Sequence, residues 1–430
     1  MPNPGCIRQS KSEIAGAITV VLIAALAFIA LPARAQTFVP IHTFTGGNDG
    51  ATPMATLTVD RAGNLYGTTK YGGLAGGHCG RGCGTIFKLA LKNSHWIFSP
   101  LYSFQGGSDG AYPEAPITFG PDGALYGTTN GGGINDHGTV YRLTPPVNPC
   151  IAVSCPWLET VLFRFNPTCP SCDASYPAAG VVFDNAGNIY GTTLLGGINY
   201  FGTVYQLTRS GGIWTGTIIH AFGILPDGTS PYAGVVFDNV GNLYGTTELG
   251  GDPILGNGTV FQLTPSGGGW TETLLHAFNG ADGNAIQAGV IFDQAGNLYG
   301  AASSGGTNNL GTIFQLTANS DGTWNFNLLY TLGPGQASQV FSNLIFDQAG
   351  NLYGTGVNGG SHGAGAVFEL LPSGGSWSYT SLYDFANNGD GAHPYAGVVR
   401  DANGNLFGAS SAGGMGCAPN GCGTIWEIMP

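Results

Sequence analysis

Short apolar runs alternate with turn-forming residues along most of the chain, always in the same order. One copy has an apolar run at 179–184, a turn at 185–188 and a second run at 189–193. A glycine-rich loop then leads to the runs at 202–207 and 214–222. Short apolar runs bounded by Asn, Asp and Gly are typical of antiparallel strands with tight connections. The copy therefore predicts four strands, which we name A, B, C and D in chain order.

The four-strand pattern returns seven times, and the clearest marker is one aromatic residue in strand B. Successive markers are separated by 54 to 64 residues. The seven markers are Tyr66, Tyr126, Tyr190, Tyr244, Tyr299, Tyr353 and Phe407. A period of this length indicates a modular array, and four antiparallel strands per module are typical of a propeller blade. The sequence predicts an all-β protein, a seven-bladed β-propeller.

Strand D has the most regular spacing, because a tryptophan is followed eight residues later by a large apolar residue, as in Trp214 and Phe222. An even spacing places both side chains on one face of a strand, as packing against a neighbouring blade requires. Only six D strands begin with tryptophan, and residues 36–44 match the end of the pattern. We therefore expect residues 36–44 to pair with the last C strand and close the ring. The alternative, an open solenoid, would require a capping unit at each end.

The first 35 residues have the features of a secretory signal peptide. Arg8 and Lys11 precede an apolar run at 15–31, which is followed by Ala33-Arg34-Ala35. An uncleaved membrane anchor is the alternative, but the run is short for a membrane span. We expect a single propeller domain at 36–430, with no stable membrane span after cleavage. The formal net charge is −12, which argues against nucleic acid as a partner.

Eight of the nine cysteines follow the predicted signal peptide, and they form four close pairs. The pairs are Cys79 with Cys83, Cys150 with Cys155, Cys169 with Cys172, and Cys417 with Cys422. An even number in an exported chain predicts local disulfides. The middle two pairs also resemble zinc-ribbon spacing. The D strand between them would separate the pairs by roughly 30 Å, so we expect disulfides and no metal.

The repeated wording Asp-x-x-Gly-Asn-Leu-Tyr-Gly-Thr-Thr, followed by Gly-Gly and Gly-Thr-Val-Phe, resembles that of the tandem-repeat GloVer-containing bacterial proteins. The resemblance covers nearly all of residues 36–430. It implies an exported protein built from repeats, without implying a particular reaction. Members carry varied C-terminal surface anchors, a feature that we do not expect after Pro430. We expect a secreted protein, extracellular or periplasmic.

The loops between strands B and C differ in length between blades. They have 12 residues in four blades, but 18 in blade 1, 14 in blade 4 and 16 in blade 7. Blades 7 and 1 become neighbours once the ring closes, and their loops contain the first and last cysteine pairs. Long loops on a rigid scaffold commonly carry function. We therefore predict a recognition surface on this side of the top face, which the B–C and D–A loops form. The alternative is that the disulfides only order long loops.

Aromatic, basic and histidine side chains in the top-face loops are the candidate ligand contacts. Aromatic rings provide apolar area at low entropic cost and suit sugar or peptide contacts. The candidates are Tyr71, His78, Arg81, Tyr112, His362, His393 and Tyr395. We predict a monomeric binding or scaffolding module for a glycan or a protein. The alternatives are a carbohydrate-active lyase or hydrolase on the same scaffold, and a surface coat without a ligand.

Other polar residues have structural explanations. His42, His220 and His276 occupy a strand D position that is Tyr or Phe in other blades, which predicts a packing role. Six of the seven D–A loops contain an aspartate, which we expect to cap its own turn, with calcium binding as the weaker alternative. No nucleophile elbow or His-Glu-x-x-His spacing is present. We therefore name no catalytic residue and expect no cofactor.

Overall fold

A computed structural model describes residues 36–74, 78–146, 157–166, 174–223, 225–251, 256–417 and 419–430. It contains seven four-stranded antiparallel sheets that form a ring, so the predicted seven-bladed β-propeller is confirmed. The predicted signal peptide and the cysteines at 150, 155, 169 and 172 lie outside the described residues. Within the described ranges, no helix has the length and apolarity needed to cross a membrane.

Each blade contains strands A to D, with strand A innermost. The A strands are Thr58–Val59, Thr118–Phe119, Val182–Phe183, Val236–Phe237, Ile291–Phe292, Ile345–Phe346 and Val399–Arg400. The B strands are Leu65–Thr69, Leu125–Thr129, Ile189–Thr193, Leu243–Thr247, Leu298–Ala302, Leu352–Gly356 and Leu406–Ser410. The C strands are Thr85–Lys92, Thr139–Thr144, Thr203–Ser210, Thr259–Ser266, Thr312–Ala318, Ala366–Ser373 and Thr424–Met429. The D strands of blades 1 to 6 are His95–Ser103, Leu158–Arg164, Ile213–Ala221, Gly269–Ala277, Trp324–Thr331 and Ser376–Asp384.

Short elements decorate the top-face loops. Two-residue strands link a D–A loop to the next B–C loop, as Ala174–Ser175 with Leu195–Gly196, Gly228–Thr229 with Leu249–Gly250, and Ala337–Ser338 with Asn358–Gly359. The top-face loops also contain two 3₁₀ helices, Gly107–Asp109 and Ile134–Asp136.

The ring closes as predicted, because the D strand of blade 7 comes from the beginning of the chain. Thr37–Thr43 pairs antiparallel with Thr424–Met429, so that Thr37 faces Met429 and Thr43 faces Thr424. A register shift between Pro40 and His42 leaves Ile41 without a partner, and the equivalent shift occurs between strands C and D of the other six blades. Closure gives blade 7 the same four strands as the other blades and leaves only short outer edges.

Strand A is shorter than the apolar run that predicted it. Of residues 179–184, only Val182 and Phe183 pair with strand B. The preceding carbonyl groups accept hydrogen bonds from side chains of the blade before, since Thr128 Oγ1 donates to the Ala179 oxygen over 2.9 Å. Blade-to-blade hydroxyl contacts therefore replace ladder bonds next to the channel.

The marker tyrosine of strand B packs across the boundary to the next blade. The Tyr190 ring meets Phe237 at 5.1 Å and Trp270 at 6.0 Å, both in the following blade and both edge-on. Tyr244 makes the equivalent contacts with Phe292 and Trp324. The leading tryptophan of strand D therefore packs on a neighbouring blade, as its spacing predicted.

Each strand B contains a glycine opposite an aromatic residue of strand C. In blade 4, Gly245 faces Phe261, and a Cβ atom on Gly245 would collide with the Phe261 ring and contact Val235. Phe261 is completely buried. The missing side chain is what makes room for a large ring in the middle of the blade.

The turn aspartates between strands A and B act as predicted from the sequence. Asp60 accepts hydrogen bonds from the backbone of Ala62 and Asn64 and from the Asn64 amide. Tyr66 also donates its hydroxyl to Asp60. Burial opposes ionisation of Asp60, but these hydrogen bonds outweigh it and lower its pKa. These aspartates are therefore turn formers on the face opposite the candidate loops.

Candidate functional site

The central channel holds a cavity of about 320 Å³ on the top side. It is lined by the residues that lead into strand A from all seven blades, including Tyr232, Gln287, Phe341 and Tyr395. Ligand pockets commonly have volumes of roughly 300–1,000 Å³, so this cavity is at the small end of that range.

One structurally equivalent residue from each blade forms the mouth of this cavity, always 12 positions before the strand B marker. The seven are Met54, Glu114, Ala178, Tyr232, Gln287, Phe341 and Tyr395. We call this set the mouth ring. Neighbouring positions are nearly invariant in size, since the next residue is alanine in six blades and Ser342 in blade 6. The mouth ring is thus the layer at which the seven blades differ most.

Aromatic side chains dominate one part of the mouth ring. The rings of Phe341 and Tyr395, from blades 6 and 7, stack with their centroids 5.3 Å apart and their planes 15° from parallel. Both side chains are half-buried and line the cavity. They present a rigid apolar surface to whatever enters.

Carboxylate and amide groups face these rings. Glu114 is held by Lys70 at 2.6 Å, and Glu248 accepts a hydrogen bond from the Gln287 amide at 2.6 Å. Burial, reinforced by the negative charges of Glu114 and Glu248, raises the pKa of Tyr232 to about 12. Tyr232 therefore keeps its hydroxyl proton at neutral pH, and the mouth contains both donors and acceptors of hydrogen bonds.

Three of the seven sequence-predicted contacts come together beside the mouth. The Arg81 guanidinium lies over the Tyr71 ring at 4.5 Å, and Tyr71 meets Tyr112 edge-on at 5.7 Å. Lys70 lies 5.5 Å from the same Tyr71 ring and connects this cluster to Glu114. We call Tyr71, Arg81 and Tyr112 the blade 1 cluster.

The other predicted contacts are more dispersed. Tyr395 is in the mouth ring, whereas His393 points its Nδ1 to the Val357 oxygen at 3.1 Å. His78 is exposed and lies 3.2 Å from the Gln105 oxygen in blade 1. His362 is exposed on blade 6. The structure therefore does not gather the loop histidines into one site.

A serine beside His362 does not form a catalytic triad. Ser361 Oγ lies 2.9 Å from His362 Nδ1, but Asp384 accepts hydrogen bonds from the Ser361 backbone and from Ser381 Oγ. A triad needs the carboxylate to orient the imidazole through its second nitrogen. No such hydrogen bond involving His362 occurs among the described residues.

Both described disulfides occupy equivalent places in adjacent blades. Cys79 is bonded to Cys83, with Cα atoms 5.2 Å apart, and Cys417 to Cys422, with Cα atoms 5.1 Å apart. We call each loop closed by one of these disulfides a stapled loop. The Cys83 oxygen accepts a hydrogen bond from the Tyr112 backbone N–H at 2.9 Å, which joins the stapled loop of blade 1 to the segment that enters the next blade. The Cys422 oxygen accepts the equivalent bond from Thr52. The stapled loops thus support the two segments that lead to Met54 and Glu114.

Tyrosines next to proline divide into two classes that the sequence did not distinguish. Tyr112 and Tyr176 precede a proline and have φ near +60°, a conformation that bulky residues rarely adopt. Tyr232 and Tyr395 follow a proline and line the cavity. Only the second class belongs to the mouth ring.

Sequence reasoning missed Glu114, Gln287 and Phe341. These three residues do not share a residue type, and the residue before them differs, being Pro113, Ile286 or Val340. Their constant distance from the strand B marker was the available signal.

The D–A loop aspartates cap their own turns, as expected. Asp49, for example, accepts a hydrogen bond from the Thr45 backbone N–H at 2.9 Å. The sequence did not reveal that these aspartates also reach the variable histidine or tyrosine of strand D. Tyr102 Oη donates to Asp109 at 2.7 Å, and His276 Nε2 lies 3.0 Å from Asp282. Histidine and tyrosine are therefore interchangeable there because both can place a polar group against the aspartate.

Comparison with known proteins identifies the repeat. The family model for the Gloeobacter/Verrucomicrobia repeat matches residues 28–154, 158–323 and 254–430. No curated protein sequence matches the chain.

Three solved structures are similar to the chain at low sequence identity. A candidate 6-phosphogluconolactonase from Bacteroides uniformis is 14% identical over 76% of this chain and 83% of its own, with a TM-score of 0.49. A candidate glucose dehydrogenase from Thermus thermophilus is 13% identical over 92% of this chain and 100% of its own, with a TM-score of 0.41. A Dyadobacter fermentans protein of unknown function is 12% identical over the same shares, with a TM-score of 0.45.

Proposed function

The chain belongs to the Gloeobacter/Verrucomicrobia repeat family, and we propose that it is an exported glycan-binding module. The mouth of the central channel would take the end of a sugar chain, with the blade 7 and blade 1 loops as its outer wall. The observation that carries the proposal is the stacked pair Phe341 and Tyr395 beside a cavity that also contains Tyr232.

Stacked aromatic rings suit the apolar face of a pyranose. A ring offers a flat contact area and loses little conformational freedom when it binds. Phe341 and Tyr395 are already held against each other, so binding does not have to order them. The small cavity favours one terminal sugar unit over an internal stretch of polymer.

The polar groups around the mouth favour an uncharged ligand. Lys70 neutralises Glu114, and Gln287 donates a hydrogen bond to one oxygen of Glu248. The remaining carboxylate oxygens can accept hydrogen bonds from sugar hydroxyls, and the mouth has no unpaired positive charge among the described residues. The chain also has an excess of acidic residues, 24 Asp and Glu against 12 Lys and Arg, which would repel polyanionic glycans.

The blade 1 cluster extends this surface. Arg81 and Tyr71 lie on the stapled loop side, next to Lys70 and hence to Glu114. We propose that they contact the second or third sugar unit. His78, His362 and His393 would contribute at the periphery of the same face, as the sequence suggested.

Binding of the purified protein to an array of neutral oligosaccharides tests the proposal, followed by titration calorimetry on the best ligand. We expect Phe341→Ala and Tyr395→Ala each to weaken binding by about tenfold, which corresponds to about 1.4 kcal/mol for one lost aromatic contact. Tyr71→Ala should weaken it less and only for longer oligosaccharides.

Tyr200→Asn is the matched control. Tyr200 is an exposed aromatic residue of a B–C loop, 62% accessible, and does not line the cavity. Asparagine tolerates its φ of +61°. Unchanged affinity in the Phe341→Ala and Tyr395→Ala variants would refute the mouth as the site, and selective capture of a protein would assign the same face to a protein ligand.

A lyase or hydrolase is the second candidate, because Glu114 lines the cavity and Glu248 is hydrogen-bonded to Gln287, which also lines it. Paired carboxylates are the usual machinery of glycoside hydrolysis. Release of reducing ends from a bound glycan, abolished in Glu114→Gln and Glu248→Gln, would establish it. Binding without turnover would favour the module.

We also propose export as a monomer after removal of residues 1–35. The two described disulfides support this, because disulfides persist in oxidising compartments. Mass determination of the mature protein tests whether it begins at Gln36.

A further inference from the structure

Aromatic stacking across blade boundaries occurs at the variable position of strand D at four of the seven boundaries. His42 of blade 7 stacks on Phe98 of blade 1 with centroids 4.1 Å apart, and His276 of blade 4 stacks on Phe326 of blade 5 at 3.9 Å. In each pair the planes lie 10° from parallel. The second residue of the pair always occupies the position two after the leading tryptophan.

The other three boundaries have Glu159, Gly216 or Glu272 as the second residue. Of these three, only the boundary between blades 3 and 4 has a histidine at the variable position. Glu272 occupies the position of Phe98 and Phe326, so a carboxyl group rather than a ring faces His220. Asp227, in the loop after His220, is the third member of the group. One ligand atom from each of the three residues lies within 4.8 Å of the other two.

Two atoms of this group lack partners. His220 Nε2 and Glu272 Oε1 are both inaccessible to solvent, and neither has a hydrogen-bond partner among the described residues. Buried polar atoms are normally hydrogen-bonded, and one left unsatisfied costs about 1–3 kcal/mol. His42 Nε2 and Glu159 Oε1 at the equivalent positions also lack partners, but His42 faces the Phe98 ring and Glu159 faces Tyr102. Among the described residues, the two kinds of atom come together with a third ligand only between blades 3 and 4, which points to something that binds them all.

The third ligand is positioned by the backbone. Asp227 Oδ2 accepts a hydrogen bond from Gly223 N at 2.6 Å, and Oδ1 accepts one from Gly228 N at 2.7 Å. These bonds fix the carboxylate while leaving lone pairs on both oxygens, as outer hydrogen bonds do for metal ligands.

The spacing fits a metal ion. His220 Nε2 lies 3.5 Å from Asp227 Oδ2, which is outside the range of a good hydrogen bond. Two ligand atoms each about 2.1 Å from a tetrahedral ion lie about 3.4 Å apart. A neutral imidazole with two carboxylates carries two negative charges, which a divalent cation balances.

A proton shared between the two carboxyl groups is the competing explanation. Burial, together with the charge of Asp227, raises the pKa of Glu272 to about 7. A protonated Glu272 could donate to Asp227, but this would leave His220 Nε2 without a partner. A cation satisfies all three residues at once.

We propose that His220, Asp227 and Glu272 bind one divalent transition-metal ion, of the zinc or manganese class, which clamps blade 3 to blade 4. Imidazole with carboxylates suits these ions better than magnesium or calcium, which prefer oxygen alone. The clamp is separate from the proposed glycan site.

The test is titration of chelator-treated full-length mature protein with zinc chloride or manganese chloride, followed by calorimetry and elemental analysis after gel filtration. We expect about one ion per chain, and a higher melting temperature in its presence. His220→Phe and Glu272→Phe should each weaken binding by about 100-fold or more. Both variants introduce a residue that another blade already uses at that position, so the fold should be retained.

His276→Phe and Glu159→Phe are the matched controls, since each removes one comparable side chain from another boundary. Neither should change the stoichiometry. The proposal is wrong if the wild-type protein retains no ion, or if the His220→Phe and Glu272→Phe variants bind as the wild type does. Retained binding in those variants would assign the ion to other histidines.

Discussion

Glu159 allows the packing between blades to be tested by pH alone. It occupies in blade 2 the position that Phe98 has in blade 1, and it faces Tyr102 of the preceding blade. Its Oε1 is buried, without a hydrogen-bond partner among the described residues. Burial, followed by the charge of Asp109, raises the pKa of Glu159 to about 8, although Arg164 acts in the opposite direction.

The direction of the pH effect follows from proton binding. In the unfolded chain this group has an ordinary pKa of 4.5, so between 4.5 and about 8 the folded protein holds a proton that the unfolded chain releases. The contribution of Glu159 to stability is therefore complete below pH 4.5 and is lost as the pH rises through about 8. The difference corresponds to about 5 kcal/mol at 1.36 kcal/mol per pH unit. Because the side chain is partly exposed, solvent screening should reduce this to about 2 kcal/mol.

The assay is urea denaturation followed by tryptophan fluorescence, for the wild type and for Glu159→Gln, at pH values of about 5 and about 9. Glutamine keeps the size of the side chain but cannot ionise. We expect Glu159→Gln to gain about 2 kcal/mol relative to the wild type between the two pH values. Glu159→Phe should be at least as stable at pH 9, since it restores the ring used in other blades. A stability difference that does not depend on pH would refute the assignment of a raised pKa to Glu159.

Three further predictions concern stability and can be read from the same denaturation assay. Thr192→Val removes the hydroxyl that donates to the Ala233 oxygen of the next blade at 2.9 Å, and should lower the unfolding free energy by about 1 kcal/mol. An unchanged unfolding free energy would show that this hydrogen bond does not stabilise the contact between the blades. Reduction of the Cys79–Cys83 disulfide, or its replacement by two serines, should lower the unfolding free energy by about 2 kcal/mol, and reductant should then have no further effect on that loop. Gly245→Ala should cost about 1–3 kcal/mol through overpacking against the ring behind it, and full stability would contradict the packing described for strands B and C.

The fold was predictable because its signals repeat. The eight-residue spacing from tryptophan to a large apolar residue indicated the register of strand D. Residues 36–44 were placed beside the last C strand because only six D strands begin with tryptophan and these residues match the end of the strand D pattern. The structure confirms that pairing from Thr37 to Thr43. Because the same pattern occurs in seven blades, a wrong strand assignment in one of them would have been visible by comparison with the others. The predicted strand order is therefore correct.

The mouth ring was not predictable by the same reasoning. Its seven members are of six residue types, so no shared residue type marks Glu114 or Phe341. The sequence did mark Tyr395 and Tyr232, because each of them lies next to a proline. The sequence did not distinguish these two tyrosines from Tyr112. The difference is the left-handed backbone conformation of Tyr112, which composition does not reveal.

The polar contacts of strand D were missed for a different reason. His220 and Tyr102 looked equivalent because both are aromatic, and the partner aspartates looked like simple turn residues. Only the three-dimensional structure shows that Asp227 serves the turn and also approaches the imidazole, over 3.5 Å. Glu272 belongs to no sequence motif, because its role depends on the residues that face it from the neighbouring blade.

Blade 7 draws Thr37–Thr43 from the start of the chain and Thr424–Met429 from its far end. During synthesis, the segment that emerges first must wait for the whole intervening chain before it finds its partner. Nascent chains should therefore pass through a stage in which six sheets are complete and two strand edges of the seventh remain unpaired, and at this stage chaperones would have the most to protect.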